Sequence, residues 1–266
     1  MTDAVVVTGN PVVSPVWKND RSFCWLRTYS EFFRHVKRKE KDRSIILNMN
    51  TSAITDPQSE TRSDTRSDTR SETPATGGSA HTRTSEPRER LLSTASALFY
   101  RDGIHAVGVE RIVDAASVTR ATFYRHFPSK EDLVTAYLES EDAALRGMFD
   151  AALTEISDPE GVLDALIAGI AQDITLNHTR GCPFINASAE YPDATSSVRL
   201  TVKSHRDWFA STLEAALVAA GRDDAAERSR ALVLLRDAAL VGGYLDGPDT
   251  MRETFIRTAR TVAGLG

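Results

Sequence analysis

Cysteine is scarce in this chain: Cys24 and Cys182 are the only two, and they fall in segments of different character. Two such thiols exclude a disulfide framework and a cysteine-rich zinc site, so reduced side chains are expected and no metal is implied. Long apolar runs are missing as well. None approaches the roughly 18 residues of a membrane helix, although 41% of the chain is apolar and 26% charged, as in an ordinary soluble protein. The opening residues, with Val5, Val6 and Val7 followed by Asn10 and Pro11, lack the basic lead, apolar stretch and small-residue cleavage site of a secretory signal. A cytoplasmic protein without membrane contact is expected. Catalytic signatures are absent too: there is no Gly-x-Ser-x-Gly, no phosphate-binding glycine loop with Lys-Ser/Thr, no His-Glu-x-x-His and no Cys-x-x-Cys. Neither an enzyme nor a cofactor is expected.

The net charge of -5 conceals an uneven distribution. Lys and Arg exceed Asp and Glu by 2 over residues 1–80 and by 1 over 81–136, whereas 137–266 carries -8. The acidity sits in the C-terminal half and does not oppose DNA binding by the middle segment.

Residues 51–86 are Ser, Thr, Asp, Arg and Gly with almost no large apolar side chain, and they repeat: Thr61-Arg62-Ser63-Asp64, Thr65-Arg66-Ser67-Asp68, Thr69-Arg70-Ser71-Glu72. Such a stretch cannot bury enough surface to offset its ordering entropy. Ahead of it, Trp17, Phe23, Trp25, Phe32 and Phe33 precede a basic run over 34–43 without a sustained period. Residues 1–86 therefore read as a disordered N-terminal extension, or as a mis-started one if translation begins at Met49. The basic run suits nucleic acid or an acidic membrane surface, and equally a solvated tail.

After Pro87 the pattern turns helical. Leu91, Leu92, Ala95, Leu98 and Phe99 form one stripe of a 3.6-residue period, and Gly103 supplies a stop. Gly108 can cap a short helix through Ile112, Val113 and Ala116; Thr119 caps another, which Phe127-Pro128 ends. Ser129 opens a fourth helix, with Asp132 three residues on in a near capping box. A long helix, a short helix, a tight turn and a second short helix is the arrangement that sets one helix across the DNA backbone and the next in the major groove. On a helical wheel Arg120, Ala121, Tyr124 and Arg125 share a face suited to DNA, while Thr119, Phe123 and Phe127 turn toward the core. Arginine can pair with guanine O6 and N7, a phenol can reach phosphate or a thymine methyl, and Ala121 permits close approach. The remainder breaks at Asp158-Pro159, 181–183, 191–193, 221–224 and Gly247-Pro248 into further helices with no alternating strand. The fold class is all-α, with a helix-turn-helix domain at 87–133 and a helical regulatory domain at 134–266.

The run Val113-Asp114-Ala115-Ala116-Ser117-Val118-Thr119-Arg120-Ala121-Thr122-Phe123-Tyr124-Arg125-His126-Phe127-Pro128-Ser129-Lys130-Glu131, within residues 91–138, resembles the DNA-binding domain of the TetR/AcrR family of repressors. It departs from that pattern at Ser117, where the family usually has the turn glycine, and at Gly108, where a threonine often caps helix two. The resemblance implies that Thr119, Thr122, Tyr124, His126 and Lys130 touch phosphates or bases, and that Arg120, Ala121 and Arg125 select sequence. Lys130 also sits in the first turn of helix four, where backbone N–H groups and the ammonium can hold one phosphate. For His126, packing within the domain is the alternative.

The resemblance further implies a homodimer formed through the last two helices, a near-palindromic operator of double-stranded DNA with recognition helices about 34–36 Å apart, and a small-molecule effector held by the C-terminal helices. Ala231, Leu232, Leu235, Ala238, Ala239, Val241 and Gly242 give a small-residue apolar helix, and Phe255, Ile256, Ala259 and Val262 a stripe on the next. The segment Arg180-Gly181-Cys182-Pro183-Phe184-Ile185-Asn186-Ala187-Ser188-Ala189-Glu190-Tyr191 looks like one shared by a large branch of the family. Asn186 and Glu190, at i and i+4, are expected to line an effector pocket with His178, Cys182, Phe184, Tyr191, Trp208 and Tyr244. Internal hydrogen bonds for the two polar residues and core packing for the aromatics are the alternative. A ligand-responsive repressor is the expected function, against a protein-interaction module that kept the fold and lost its operator.

Overall fold

The computed structural model describes residues 86–266. The predicted N-terminal extension, with its repeats, its basic run and Cys24, lies outside the described residues except for Glu86. Nine α-helices follow one another among the described residues. Helix α1 spans Glu86–Asp102, α2 Val109–Ala115, α3 Arg120–His126, α4 Lys130–Glu155 and α5 Pro159–Leu176. Then come α6 at Pro183–Glu190, α7 at Ser197–Ala219, α8 at Ala225–Asp246 and α9 at Pro248–Ala263. None is long and apolar enough to cross a membrane.

Local chemistry sets these boundaries. Thr119 and Ser129 cap α3 and α4, and at α4 the box is complete: the Ser129 hydroxyl accepts from Asp132 N, and the Asp132 carboxylate accepts from Ser129 N at 2.8 Å. Asp158 caps α5 by accepting from Gly161 N at 2.8 Å, with Pro159 in the first turn where its missing N–H costs nothing. The residue after α2 is unusual. Ser117 sits at φ 53, and Val118 N donates back to Val113 O at 3.1 Å while Ser117 N donates to Asp114 O at 3.2 Å, the paired bonds of a Schellman turn. A Cβ in the left-handed region is strained. Ser117→Gly is therefore expected to stabilise the protein by up to about 1 kcal/mol, a rise of about 2–4 °C in melting temperature. An unchanged thermal melt would show that the turn carries no strain.

Helices α1 to α3 close on Leu91, Ala95, Phe99, Ile112, Val113 and Phe123, all buried, and the start of α4 adds Leu133, Val134 and Tyr137. Each buried Leu, Ile, Val or Phe among them contributes about 1.5–3 kcal/mol. The expected division at 133/134 falls inside α4, so one continuous helix about 39 Å long leaves the helix-turn-helix and enters the second half. There α9 packs on α8 and α5, and α7 lies between α8 and α4. The crossing of α8 and α9 is close: a Cβ on Gly242 would meet Met251 Sδ at 2.8 Å.

Of the residues on the two expected stripes, Ala238 and Val241 are exposed, and Leu235, Gly242, Ile256 and Val262 are half-buried. Phe255 and Ala259 are buried within the protomer, as are Leu232 and Ala239, where α9 packs on α5 and α8. The open apolar row is Leu234, Ala238, Val241 and Leu245, at i, i+4, i+7 and i+11 of α8.

Candidate nucleic-acid interface

Helix α3 is held by its inner face. Phe123 is fully buried and Phe127 nearly so, their ring centroids 6.2 Å apart, with the Arg88 guanidinium 5.1 Å from the Phe127 centroid. At its start the Thr119 hydroxyl accepts from Thr122 N at 3.1 Å and meets the Thr122 hydroxyl at 2.9 Å. The outer face is open. Arg120, Ala121 and Arg125 are exposed, and Tyr124 stands edge-on to Phe123 at 5.1 Å with 42% of its surface exposed. Arg120 pairs with Glu110 of α2 and lies over the Tyr124 ring at 5.7 Å, so its side chain leans along the face. His126 is half-buried.

Lys130 opens α4 and is half-buried, its ammonium 5.9 Å from the Phe99 centroid. Partial burial lowers its pKa, with the charge of Glu190 opposing that shift. All eight residues expected to contact DNA thus lie on one continuous stretch from the α3 cap to the first turn of α4, where a rigid helix and a helix N-terminus present cations and N–H groups together.

This unit is tied to the C-terminal helical half by more than α4. The Glu190 carboxylate, at the end of α6, accepts from Ile104 N at 2.8 Å and His105 N at 2.5 Å in the turn after α1. That turn needs Gly103, whose φ is 91 and whose Cβ would lie 3.5 Å from Glu190 Oε1. Beside it the Tyr100 hydroxyl donates to Gly181 O at 3.0 Å and accepts from Arg180 N at 2.7 Å. Burial raises the Tyr100 pKa, keeping the phenol protonated as that donor.

The eight residues expected at an effector pocket are dispersed. Asn186 is exposed and donates to Arg180 O at 3.1 Å, and Glu190 is spent on the turn after α1, so this pair makes internal hydrogen bonds. Tyr191 is half-buried against the His105 ring at 5.2 Å, and Tyr244 is mostly at the surface beneath Arg180. The other four lie deeper. Phe184 is buried, and half-buried Trp208 packs edge-on to Phe149 at 5.4 Å. Cys182 is buried 3.5 Å from the Arg236 guanidinium. His178 lies between Asp173 at 2.6 Å and Glu141 at 3.4 Å. Burial alone would depress the His178 imidazolium; the Asp173 charge and hydrogen bond, with Glu141, override it and raise the pKa to about 10. Two surface clefts, of about 460 and 480 Å³, are lined by none of the eight.

Sequence reasoning missed the charged centre of this half: Asp173, His205 and Arg236 are all buried, with Asp142 beside His205. A signal existed. Asp173 interrupts the apolar run of α5, His205 falls between Val202 and Phe209 on α7, and Arg236 falls between Leu232 and Leu240 on α8, all core-facing spacings.

Known proteins resemble this chain in sequence and in fold. The family described as "Bacterial regulatory proteins, tetR family" matches residues 91–137. The crystal structure of SCO4454, a TetR-family transcriptional regulator from Streptomyces coelicolor, superposes with a TM-score of 0.65 at 42% identity, over 67% of this chain and 95% of that one. The uncharacterized HTH-type transcriptional regulator Rv1255c of Mycobacterium tuberculosis is 28% identical over 171 residues, which is 55% of this chain and 82% of the other. The transcriptional repressor NemR of Escherichia coli is 31% identical over 122 residues, 43% of this chain and 58% of its own length. With the capped, outward-facing α3 on a three-helix unit and a helical half behind it, these likenesses place the chain in the TetR family of bacterial transcriptional regulators.

Proposed function

We propose that two copies of this chain bind a near-palindromic operator as a repressor, and that a small molecule held in the helical half releases them. The observation that carries the DNA reading is the two-sided α3: Phe123 and Phe127 fix its inner face, while Arg120, Ala121, Tyr124 and Arg125 lie on an exposed outer face that can enter a major groove. Thr119, Thr122, His126 and Lys130 flank that face and serve phosphates. The open row on α8 supplies the surface through which two copies join. Relatives named as repressors, NemR among them, support the sign of the effect.

Effector response follows from the ties between the halves. Phe184, Trp208, Cys182 and His178 surround the buried centre, and α6 reaches from that centre to the turn after α1 through Glu190. A molecule that shifts α6 or tilts α4 changes the separation of the two α3 helices. A coupling of about 1–3 kcal/mol suffices for a 5- to 150-fold loss of operator affinity.

Footprinting of the protein on its own upstream DNA is the test. A protected, two-fold symmetric site at moderate salt is expected, and no protection would sink the repressor reading. Tyr124→Ala, with an exposed side chain and no place in the core, is expected to weaken the site by about tenfold or more while leaving the melt unchanged. Unchanged affinity would remove Tyr124 from the contact surface.

A further inference from the structure

The C-terminal half buries a polar atom that meets no hydrogen-bond partner among the described residues. His205 of α7 is 1% exposed, and its Nδ1 lies 2.7 Å from Asp142 Oδ1, a carboxylate also held by Arg146 at 2.6 Å. A carboxylate accepts, so Nδ1 carries the proton and Nε2 presents a lone pair. Among the described residues nothing bonds to that Nε2. Burial lowers the pKa of the ring to about 4, with Asp142 opposing and the nearby Arg236 cation adding, so the imidazole is neutral at neutral pH and Nε2 is an acceptor. A buried acceptor left unmet is costly, and each one calls for an account.

The walls around His205 are flat and apolar. Phe184 stacks on its ring at 3.6 Å and 3°, and Trp208 and Phe209 stand 5.9 and 6.2 Å away. Arg236 lies over Phe209 at 5.0 Å, and its charge is already answered by Asp173 and Asp237. The cleft of about 480 Å³ is lined by Leu153 of α4 and Thr212 of α7, each one helical turn beyond the Phe149 and Trp208 that pack together. Trp208 of that pair also lies 5.9 Å from the His205 ring.

We propose that His205 Nε2 recognises the hydroxyl of a small phenol that enters past Trp208 from this cleft. The ligand class follows from three features. The unmet group is an acceptor, so the ligand must donate. The surroundings are aromatic faces and edges, which a planar ring fills well. The cation is already compensated, and a carboxylate would set its own lone pairs against Nε2, so the ligand is uncharged. The site deepens the effector reading and rests on it for one consequence only, the release of DNA.

Calorimetry on the full chain with 4-methylphenol, toluene and 4-methylbenzoate tests the site. The phenol is expected to bind about tenfold or more tightly than toluene, since a site built for a hydroxyl rejects the analogue that lacks it. His205→Phe keeps the stack on Phe184, removes Nε2 and is expected to abolish that preference. In the unmutated protein the ¹⁵N resonance of His205 Nε2 should move on adding the phenol and stay put with toluene, a readout that does not depend on the variant folding. Equal binding of phenol and toluene, tighter binding of 4-methylbenzoate or an unmoved resonance would overturn the proposal. Footprinting with the same phenol separates the two readings. Binding with these properties that leaves the operator protected sinks the effector reading and keeps the site; release by a ligand indifferent to His205→Phe sinks the site and keeps the effector reading.

Discussion

Val241→Asp is expected to leave each protomer folded, to separate the pair in solution and to lower operator affinity by about 100-fold or more. The side chain is 41% exposed in the single chain, in a row with Leu234 and Leu245, both 69% exposed, so a carboxylate there stays hydrated in the monomer and costs little. In a two-fold interface the same patch serves both copies, and each brings its own Asp into an apolar contact. Burying two charges without partners costs several kcal/mol, enough to dissociate a moderate dimer. A lone helix-turn-helix then keeps only half of the phosphate and base contacts, and the loss appears in affinity and in the salt slope alike. Sedimentation read beside footprinting checks this. A variant that stays dimeric at the same concentration would show that the row on α8 is not the interface.

The apolar stripes of the last two helices show where local sequence stops informing. Period and capping are local, so Thr119 and Ser129 announced their helices and Asp158-Pro159 a break, whereas the turn at Ser117 was marked only by the resemblance. The outer face of α3 was legible for the same reason, since Phe123 and Tyr124 on one short helix leave little choice of which turns inward. An apolar stripe, by contrast, says that a face is covered and not by what. Phe255 and Ala259 are covered by α5 and α8 of their own chain. Asn186 and Glu190 were correctly placed on one short helix, but their partners, Arg180 O and the turn after α1, are set by tertiary contacts that no spacing records. His205 and Arg236 were overlooked because a lone ionisable residue in a helix reads as surface until its neighbours are seen to be buried.

Asp173→Asn is expected to destabilise the protein by about 3–5 kcal/mol, or about 6–20 °C in melting temperature, with a pH dependence that identifies the cause. Asp173 is fully buried; it accepts from His178 Nδ1 at 2.6 Å and Asn177 Nδ2 at 3.3 Å and compensates Arg236 through space. Burial alone would raise its pKa, but His178 and the other donors hold the carboxyl below its ordinary range. The amide removes the charge and leaves two buried cations with Glu141 and Asp237 as the carboxylates beside them. His178, raised from 6.5 to about 10 in the folded protein, stabilises it fully below pH 6.5, and this contribution fades as the pH climbs through 10. Without Asp173 the burial cost dominates, His178 loses much of that raise, and the native protein gives up the linked stability. The penalty of Asp173→Asn is therefore largest near pH 5.5 and shrinks by pH 9–10, leaving the share owed to Arg236, which stays charged throughout. Chemical denaturation of both proteins at the two pH values measures it. A penalty equal at both would mean that Asp173 acts through Arg236 and that the His178 cluster contributes nothing to the fold.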